Sequence, residues 1–384
     1  MQVDILGSVG ELDATVWDAI VPPGELLCTH RYLRAVEESG INDCRFHYPV
    51  VYDNGRLVAH GCAYAISSEL DIFVRGPAKR LLAAVRRVWP RFLVFRAIEC
   101  GTPVAMGTTI SYAPGADRGA ALAAMIDGLE AVARRERMPA VLLRDFFPSD
   151  LAFYDSLLGR GYTRAPNLSR ALLVVRWRSF DGYLDSLRRK YRYRVKEHRR
   201  RLARPEVTVE FATRFAHLAE ELAGLWRNVY DRAAEYRRER LTPEFFRRID
   251  EGLGEESGVV LIRVGGRLVA FMLLLFSGPR MTSLYCGMDY ALNEEYALYF
   301  NLFYESLLVG LGRGVEEFDL GPTSLETKKA LGGVPQPVFV YLRYRSALGN
   351  AVIPRLFTAL APRDRTAPRR AFKTNGGLAH ATQG

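Results

Sequence analysis

The segment DLGPTSLETKKALGG, residues 319–333, gathers groups that can move or stabilise charge. A strand-like run ends in Asp319 and Gly321, a Pro-containing turn follows, and Lys328 and Lys329 stand just ahead of Gly332 and Gly333. A carboxylate at a strand end can orient an amine or accept its proton through water. The same residue can instead cap the turn that follows it. Upstream lie Tyr285, Asp289 and Tyr299. A tyrosine hydroxyl there can protonate a leaving group, although aromatics at helical spacing also serve as core. Cys286 follows Tyr285 on an apolar strand and reads as a buried, inert thiol. No Ser-His-Asp or Cys-His constellation accompanies these residues, so a covalent intermediate is not indicated. Direct attack between two bound reactants is the simpler chemistry, and it needs donors facing an oxyanion and substrates held in register.

A second concentration of charge lies in SLRRKYRYRVKEHRRRLARP, residues 186–205, with ten Lys or Arg and one acid, Glu197. Helical periodicity over residues 180–202 aligns Phe180, Leu184, Leu187, Tyr191, Val195, His198 and Leu202 on one stripe, with Ser179 as N-cap. One face can pack while the cations cover the rest. Arg188, Arg189, Lys190, Arg192, Arg194 and Lys196 crowd three turns, where like charges at i,i+4 repel by roughly 0.2–0.5 kcal/mol per pair. A solvated surface helix would interleave more acids, so the density points to an anionic ligand: RNA phosphate, CoA or a nucleotide-linked acceptor. Tyr191 and Tyr193 interleave with the arginines and can stack on bases.

The elements that must position these groups come from a chain of 384 residues with a net charge of +10, long enough for two domains. The basic segment carries +9, and the residues after 348 add +5 (Arg355, Arg363, Arg365, Arg369, Arg370 and Lys373 against Asp364), which leaves −4 elsewhere. The basicity is local, as expected of a polyanion patch. No stretch approaches the ~18 apolar residues of a membrane span, and the N-terminus lacks a signal-peptide pattern, so a cytoplasmic protein is expected. Five scattered cysteines without a CxxC pair, and six histidines without HExxH or HxxxH spacing, imply neither a disulfide framework nor a metal site.

The pentapeptide GRLVA recurs, in VVYDNGRLVAHGCAYA (50–65) and in VLIRVGGRLVAFMLLLF (260–276). Asn54-Gly55 and Gly265-Gly266 are hairpin dipeptides between strand-like flanks. Each hairpin precedes an amphipathic helix (117–138 and 293–314) and an apolar strand (140–146 and 315–321). The shared order predicts two copies of one α+β unit, with the boundary near Arg176. The expected division is 1–176, 177–348 and a basic, largely disordered tail over 349–384.

With these motifs in order, the sequence resembles the tandem GNAT-fold acyltransferases, a group that includes the Fem-type peptidoglycan interpeptide-bridge transferases. LAFYDSLLGRGYTR is similar to a GNAT "FYxxLGF" signature, and YLDSLRRKYRYRVKEHRRRL to the basic helix opening the second domain. LWRNVYDR, LTPEFFRRI, GRLVAFMLLL and GVEEFDLGPTSLETKKALGG follow in family order. The resemblance covers roughly residues 5–345. It implies two GNAT-like domains, each a central mixed sheet flanked by helices, and transfer of an acyl or aminoacyl group to an amine acceptor, small molecule or peptide.

In the Fem-type group a lysine in a "K-x-x-F/W-G" setting lies near the reacting carbonyl. Lys328 matches its spacing to Gly332, with Leu331 in the aromatic position and Lys329 adjacent. Asp319 and Tyr285 are the other catalytic candidates. Arg188, Arg189, Lys190, Arg192, Arg194, Lys329, Asp289 and Tyr299 are the donor- or substrate-binding ones. The second copy lacks the "Q/RxxGxG/A" pyrophosphate loop of CoA-using GNAT domains, and the first offers only APGADRGAA, with Gly115, Arg118 and Gly119. The resemblance therefore favours aminoacyl-tRNA as donor, with tRNA a partner and no tightly bound cofactor. An acyl-CoA donor held by the first copy is the alternative, and an RNA-binding module without catalysis is a third reading.

Overall fold

The computed structural model describes residues 1–69, 94–233, 239–360 and 370–373. The first half forms β1 (Gln2–Leu6), α1 (Ala14–Asp18), α2 (His30–Glu38), β2 (Arg45–Asp53), β3 (Arg56–His60), β4 (Ala63–Glu69), β5 (Val94–Cys100), β6 (Ser111–Tyr112), α3 (Arg118–Arg135), β7 (Ala140–Phe146), α4 (Leu151–Tyr154) and β8 (Thr163–Pro166). There follow β9 (Arg170–Val174), α5 (Phe180–Ser186), α6 (Arg189–Leu202), β10 (Val207–Ala212), α7 (Ala219–Arg232), α8 (Pro243–Leu253), β11 (Ser257–Val264), β12 (Arg267–Ser277) and β13 (Arg280–Met288). The chain continues through α9 (Tyr290–Tyr296), α10 (Leu298–Gly312), β14 (Glu317–Asp319), α11 (Leu325–Ala330), β15 (Val334–Gln336), β16 (Phe339–Tyr344) and α12 (Ala347–Leu360).

Both expected hairpins form. Asn54 and Gly55 turn β2 into β3, Gly265 and Gly266 turn β11 into β12, and all four have the positive φ of a hairpin turn. One sheet runs β6-β3-β2-β4-β5-β7-β16-β8, with β1 pairing β2; the other runs β10-β11-β12-β13-β14-β9-β15. Each is mixed, through the parallel pairs β5·β7 and β13·β14.

The sheets trade strands. β9, from the end of the first repeat, inserts between β14 and β15, while β16 inserts between β7 and β8. A cut at residue 176 therefore follows chain order and not hydrogen bonding, because each sheet is completed by a strand from the other half. The halves also share a core in which Trp17, Tyr32 and Tyr48 join Phe215, Phe245, Phe246 and Phe271. At its edge α2 meets α8, where a Cβ on Gly252 would lie 3.0 Å from the Ala35 Cβ.

Three expectations about elements are corrected. The continuous helix over 180–202 breaks at Leu187 and Arg188, both extended, because Leu187 forms a β-bridge with Phe372 and the Arg188 N–H donates to the Ala371 carbonyl at 2.9 Å. The helix over 293–314 is two helices, divided by Ala297 in the left-handed region. The tail expected to be disordered instead forms α12 over its first part, and residues 370–373 pack on the protein, with Ala371 buried. Residues 361–369 and 374–384 lie outside the described residues.

Candidate active site

The site begins where β13 and β14 part. They pair only from Arg280 to Thr282 against Glu317 to Asp319, and β13 runs on to Met288 along β12 alone. A register shift near Leu273/Leu274 sends Leu284 and Tyr285 toward the core shared by the halves and leaves Cys286 on the other face. The opening between the parted strands is closed below by Asp319. Its Oδ1 accepts the Gly321 N–H at 2.8 Å, its Oδ2 accepts from Arg170 Nη1 at 3.0 Å, and its carbonyl accepts from Ser283 Oγ at 3.1 Å. Arg170 in turn donates to Gln336 Oε1 and stacks 3.9 Å from the Phe147 ring centroid. Asp319 thus takes the turn-capping role. Its carboxylate is buried and already shared between two donors.

Lys328 projects from α11 into this opening. Gly321, with φ of 84°, leaves it room, since a Cβ there would sit 3.3 Å from Lys328 Nζ. The ammonium lies 5.8 Å from the Phe303 ring centroid, and only 4% of the residue is exposed. Among the described residues it makes no hydrogen bond or ion pair of its own. Burial pulls its pKa from 10.5 down to about 8, against the opposing pull of Asp319 and Cys286. The same burial pushes the Cys286 thiol up to about 11, with Lys328 acting the other way. Lys329 is equally buried but faces Glu326, at 3.6 Å. The two lysines are therefore not a basic surface loop.

Of the residues singled out in the sequence, the structure brings together Lys328, Asp319 and Tyr299. Tyr299 packs its ring 5.3 Å from that of Phe303, and burial and Cys286 raise its hydroxyl pKa while a hydrogen bond with Ser324 lowers it. Tyr285 is on the opposite face of β13, where its hydroxyl donates to the Val104 carbonyl at 3.0 Å. Asp289 caps α9 through the Ala291 N–H and binds Arg267, both at 3.0 Å.

Gly115, Arg118 and Gly119 lie in the first half at the start of α3. The N–H of Ala120 there already donates to the Asp117 carboxylate, and Arg118 covers the rings of Tyr112 and Phe153. A pyrophosphate at that helix start would meet a carboxylate. In the place in the first half that corresponds to the opening, Arg144 binds Asp145 at 2.7 Å and Tyr64 at 3.0 Å, and Tyr64 donates to Glu99 at 2.8 Å. Sequence reasoning missed this buried network, and also Arg170, Ser283 and Phe303, whose partners are remote in the chain.

Basic helix α6 lies beyond the break. Acids neutralise much of the basic segment: Arg192 pairs with Asp185, Arg199 with Glu305, Arg201 with Glu197 of the same helix, and Arg204, just past its end, with Glu295. Arg188 donates to the Phe372 carbonyl. Among the described residues Arg189, Lys190, Arg194 and Lys196 are exposed and form no ion pair. Tyr193, 71% exposed, stands among them. Arg189 and Lys190 occupy the first turn, where the helix dipole disfavours cations, so this charge is not placed for stability.

The FemAB-like family model, described as peptidoglycan biosynthesis/recognition, matches residues 8–353. The chain belongs to the FemAB-like family. Its structure is similar to that of FemX, with a TM-score of 0.55 and 13% identity over 93% of this chain and 99% of that one. L-PGS from Bacillus licheniformis has a TM-score of 0.51 and 13% identity, over 85% and 91%. A tandem GNAT protein from the clavulanic acid biosynthesis pathway has a TM-score of 0.51 and 12% identity, over 90% and 99%.

These likenesses show the tandem GNAT fold. Two Mycobacterium tuberculosis proteins, from strains CDC 1551 / Oshkosh and ATCC 25618 / H37Rv and both named "Putative 8-amino-7-oxononanoate synthase 2", are 27% identical over 323 residues. That match takes in 82% of this chain and 41% of theirs, so the chain spans less than half the length of these curated relatives. Among the described residues no helix is long and apolar enough to cross a membrane.

Proposed function

We propose that this FemAB-like protein transfers an aminoacyl group from aminoacyl-tRNA to an amine acceptor, at the opening between β13 and β14. The observation that carries the proposal is Lys328, a buried ammonium without an acid partner of its own at the mouth of parted strands. An ammonium held there stabilises negative charge on a carbonyl or ribose oxygen in a water-poor setting, where such stabilisation is strongest. The acceptor amine attacks the ester carbonyl, a C–N bond forms, the C–O bond to ribose breaks, and the amine's proton goes to the released hydroxyl. Lys328 faces the developing oxyanion. Asp319 holds Gly321 and Arg170 in place and, being so committed, is a positioning group here and not the proton acceptor.

The donor choice rests on two features. The cations of α6 offer a surface for a polynucleotide backbone. The helix starts that could receive a CoA pyrophosphate are capped by the chain's own carboxylates, Asp117 and Asp289. The acceptor class follows the family description: an amine on a peptidoglycan precursor peptide, or a small molecule presenting the same group. The test is filter binding of bulk aminoacylated tRNA and, separately, of acetyl-CoA across a salt series. Salt-sensitive retention of charged tRNA, lost on R189E/K190E/R194E, supports the reading. Stoichiometric acetyl-CoA binding with no tRNA retention refutes it in favour of a thioester donor.

A further inference from the structure

Residues 370–373 return to the protein at one place, the break between α5 and α6. Ala371 is 2% exposed, its carbonyl accepts the Arg188 N–H at 2.9 Å, and the Lys373 N–H donates to the Ser186 carbonyl at 2.8 Å. Phe372 enters between Trp177 and Tyr183, with ring centroids 5.1 and 6.2 Å away, and lies over Gly332, where a Cβ would come within 2.2 Å of its ring. The fit explains the glycine: Gly332 has φ of 100° and any side chain there would expel Phe372.

This anchoring sets two further cations, Arg370 and Lys373, on either side of the β-bridge. Both are exposed and, among the described residues, form no ion pair. The bridge joins them to Arg188, immediately before the free Arg189 and Lys190 of α6. Gly332 also ends the loop after α11, so the same plug touches the segment that carries Lys328.

We infer that the C-terminal segment is a strap that completes the polynucleotide surface of α6, with Arg370 and Lys373 binding phosphates of the donor RNA beside Arg189 and Lys190. The inference rests on the tRNA reading of α6 and adds a part of the chain to it. RNA is favoured over a flat anionic surface because exposed Tyr193 offers a ring for base stacking within the same cation cluster.

The experiment is fluorescence anisotropy with bulk tRNA, across a salt series, on the wild-type chain, R370E/K373E, F372A and R189E/K190E, each checked for folding by circular dichroism. Loss of two phosphate contacts lowers the slope of log affinity on log salt by about 2. R370E/K373E is therefore expected to weaken binding roughly tenfold with that reduced slope, and F372A, which keeps both cations but frees the segment, is expected to follow it. If R370E/K373E or F372A binds like wild type while R189E/K190E is weakened, the strap is overturned and the tRNA reading of α6 stands. If the wild-type chain does not bind tRNA, or binds phosphatidylglycerol vesicles in its place, both are overturned.

Discussion

Replacing Lys328 by Met should make the protein more stable while abolishing transfer. The ammonium is buried, and its pKa falls from 10.5 to about 8. A fall of about 2.5 pH units corresponds to ~3 kcal/mol of unfavourable free energy for the protonated form in the folded state. Below pH 8 both the folded and the unfolded chain hold the proton, and that penalty is present in full. Between pH 8 and 10.5 the folded chain gives up the proton while the unfolded chain keeps it, so stability rises with pH through that window. Met retains the apolar stem without the charge. Asp319 keeps Arg170 and Gly321 as partners and is not left alone.

K328M should therefore exceed wild type by about 2–3 kcal/mol at pH 7, with the gap closing toward pH 10, since removal of an uncompensated buried charge is stabilising. Urea unfolding of both proteins at pH 7 and at pH 10 reads this directly. Because every other titrating group is common to the two, their difference isolates Lys328. A variant equal to or less stable than wild type at pH 7, or a gap that does not depend on pH, would refute the reasoning.

The other predictions concern the same site. The single-turnover rate of transfer should fall as pH rises through about 8 as the Lys328 ammonium is lost, and D319N, by removing a charge that holds this pKa up, should move that fall to lower pH. G321A puts a Cβ against Nζ at a positive φ and should destabilise by about 1–3 kcal/mol, read in thermal unfolding, with loss of transfer. R170A leaves a buried carboxylate short of its ion partner and should lower stability by about 3–5 kcal/mol in urea unfolding, more than Q336A.

What the sequence made legible was local. The hairpins at Asn54-Gly55 and Gly265-Gly266, the strand at 140–146 and the helix α3 each follow from turn chemistry or periodicity within one segment, and the structure has them. Strand exchange was not legible, because nothing in β9 or β16 distinguishes pairing with its own repeat from pairing with the other. The break at Leu187 likewise depends on Phe372, far along the chain, which turns an unbroken helical stripe into two helices. At the site, the spacing of Lys328 to Gly332 singled out the segment around α11 as a candidate. Its burial, and the commitment of Asp319 to Arg170, required the strand exchange that brings β9 beside β14. Tyr285 was misplaced by one step of strand alternation, which sent its hydroxyl to Val104.

The most direct test of aminoacyl transfer at Lys328 is conversion of label. Bulk tRNA charged with labelled amino acids is incubated with the protein and an excess of glycinamide as acceptor, and the product is treated with mild alkali, which cleaves the ester and spares the amide. Alkali-stable label that depends on the wild-type protein, and is absent with K328M although K328M still retains tRNA on a filter, is the expected result. Transfer from acetyl-CoA and none from aminoacyl-tRNA, or undiminished transfer by K328M, would contradict the account.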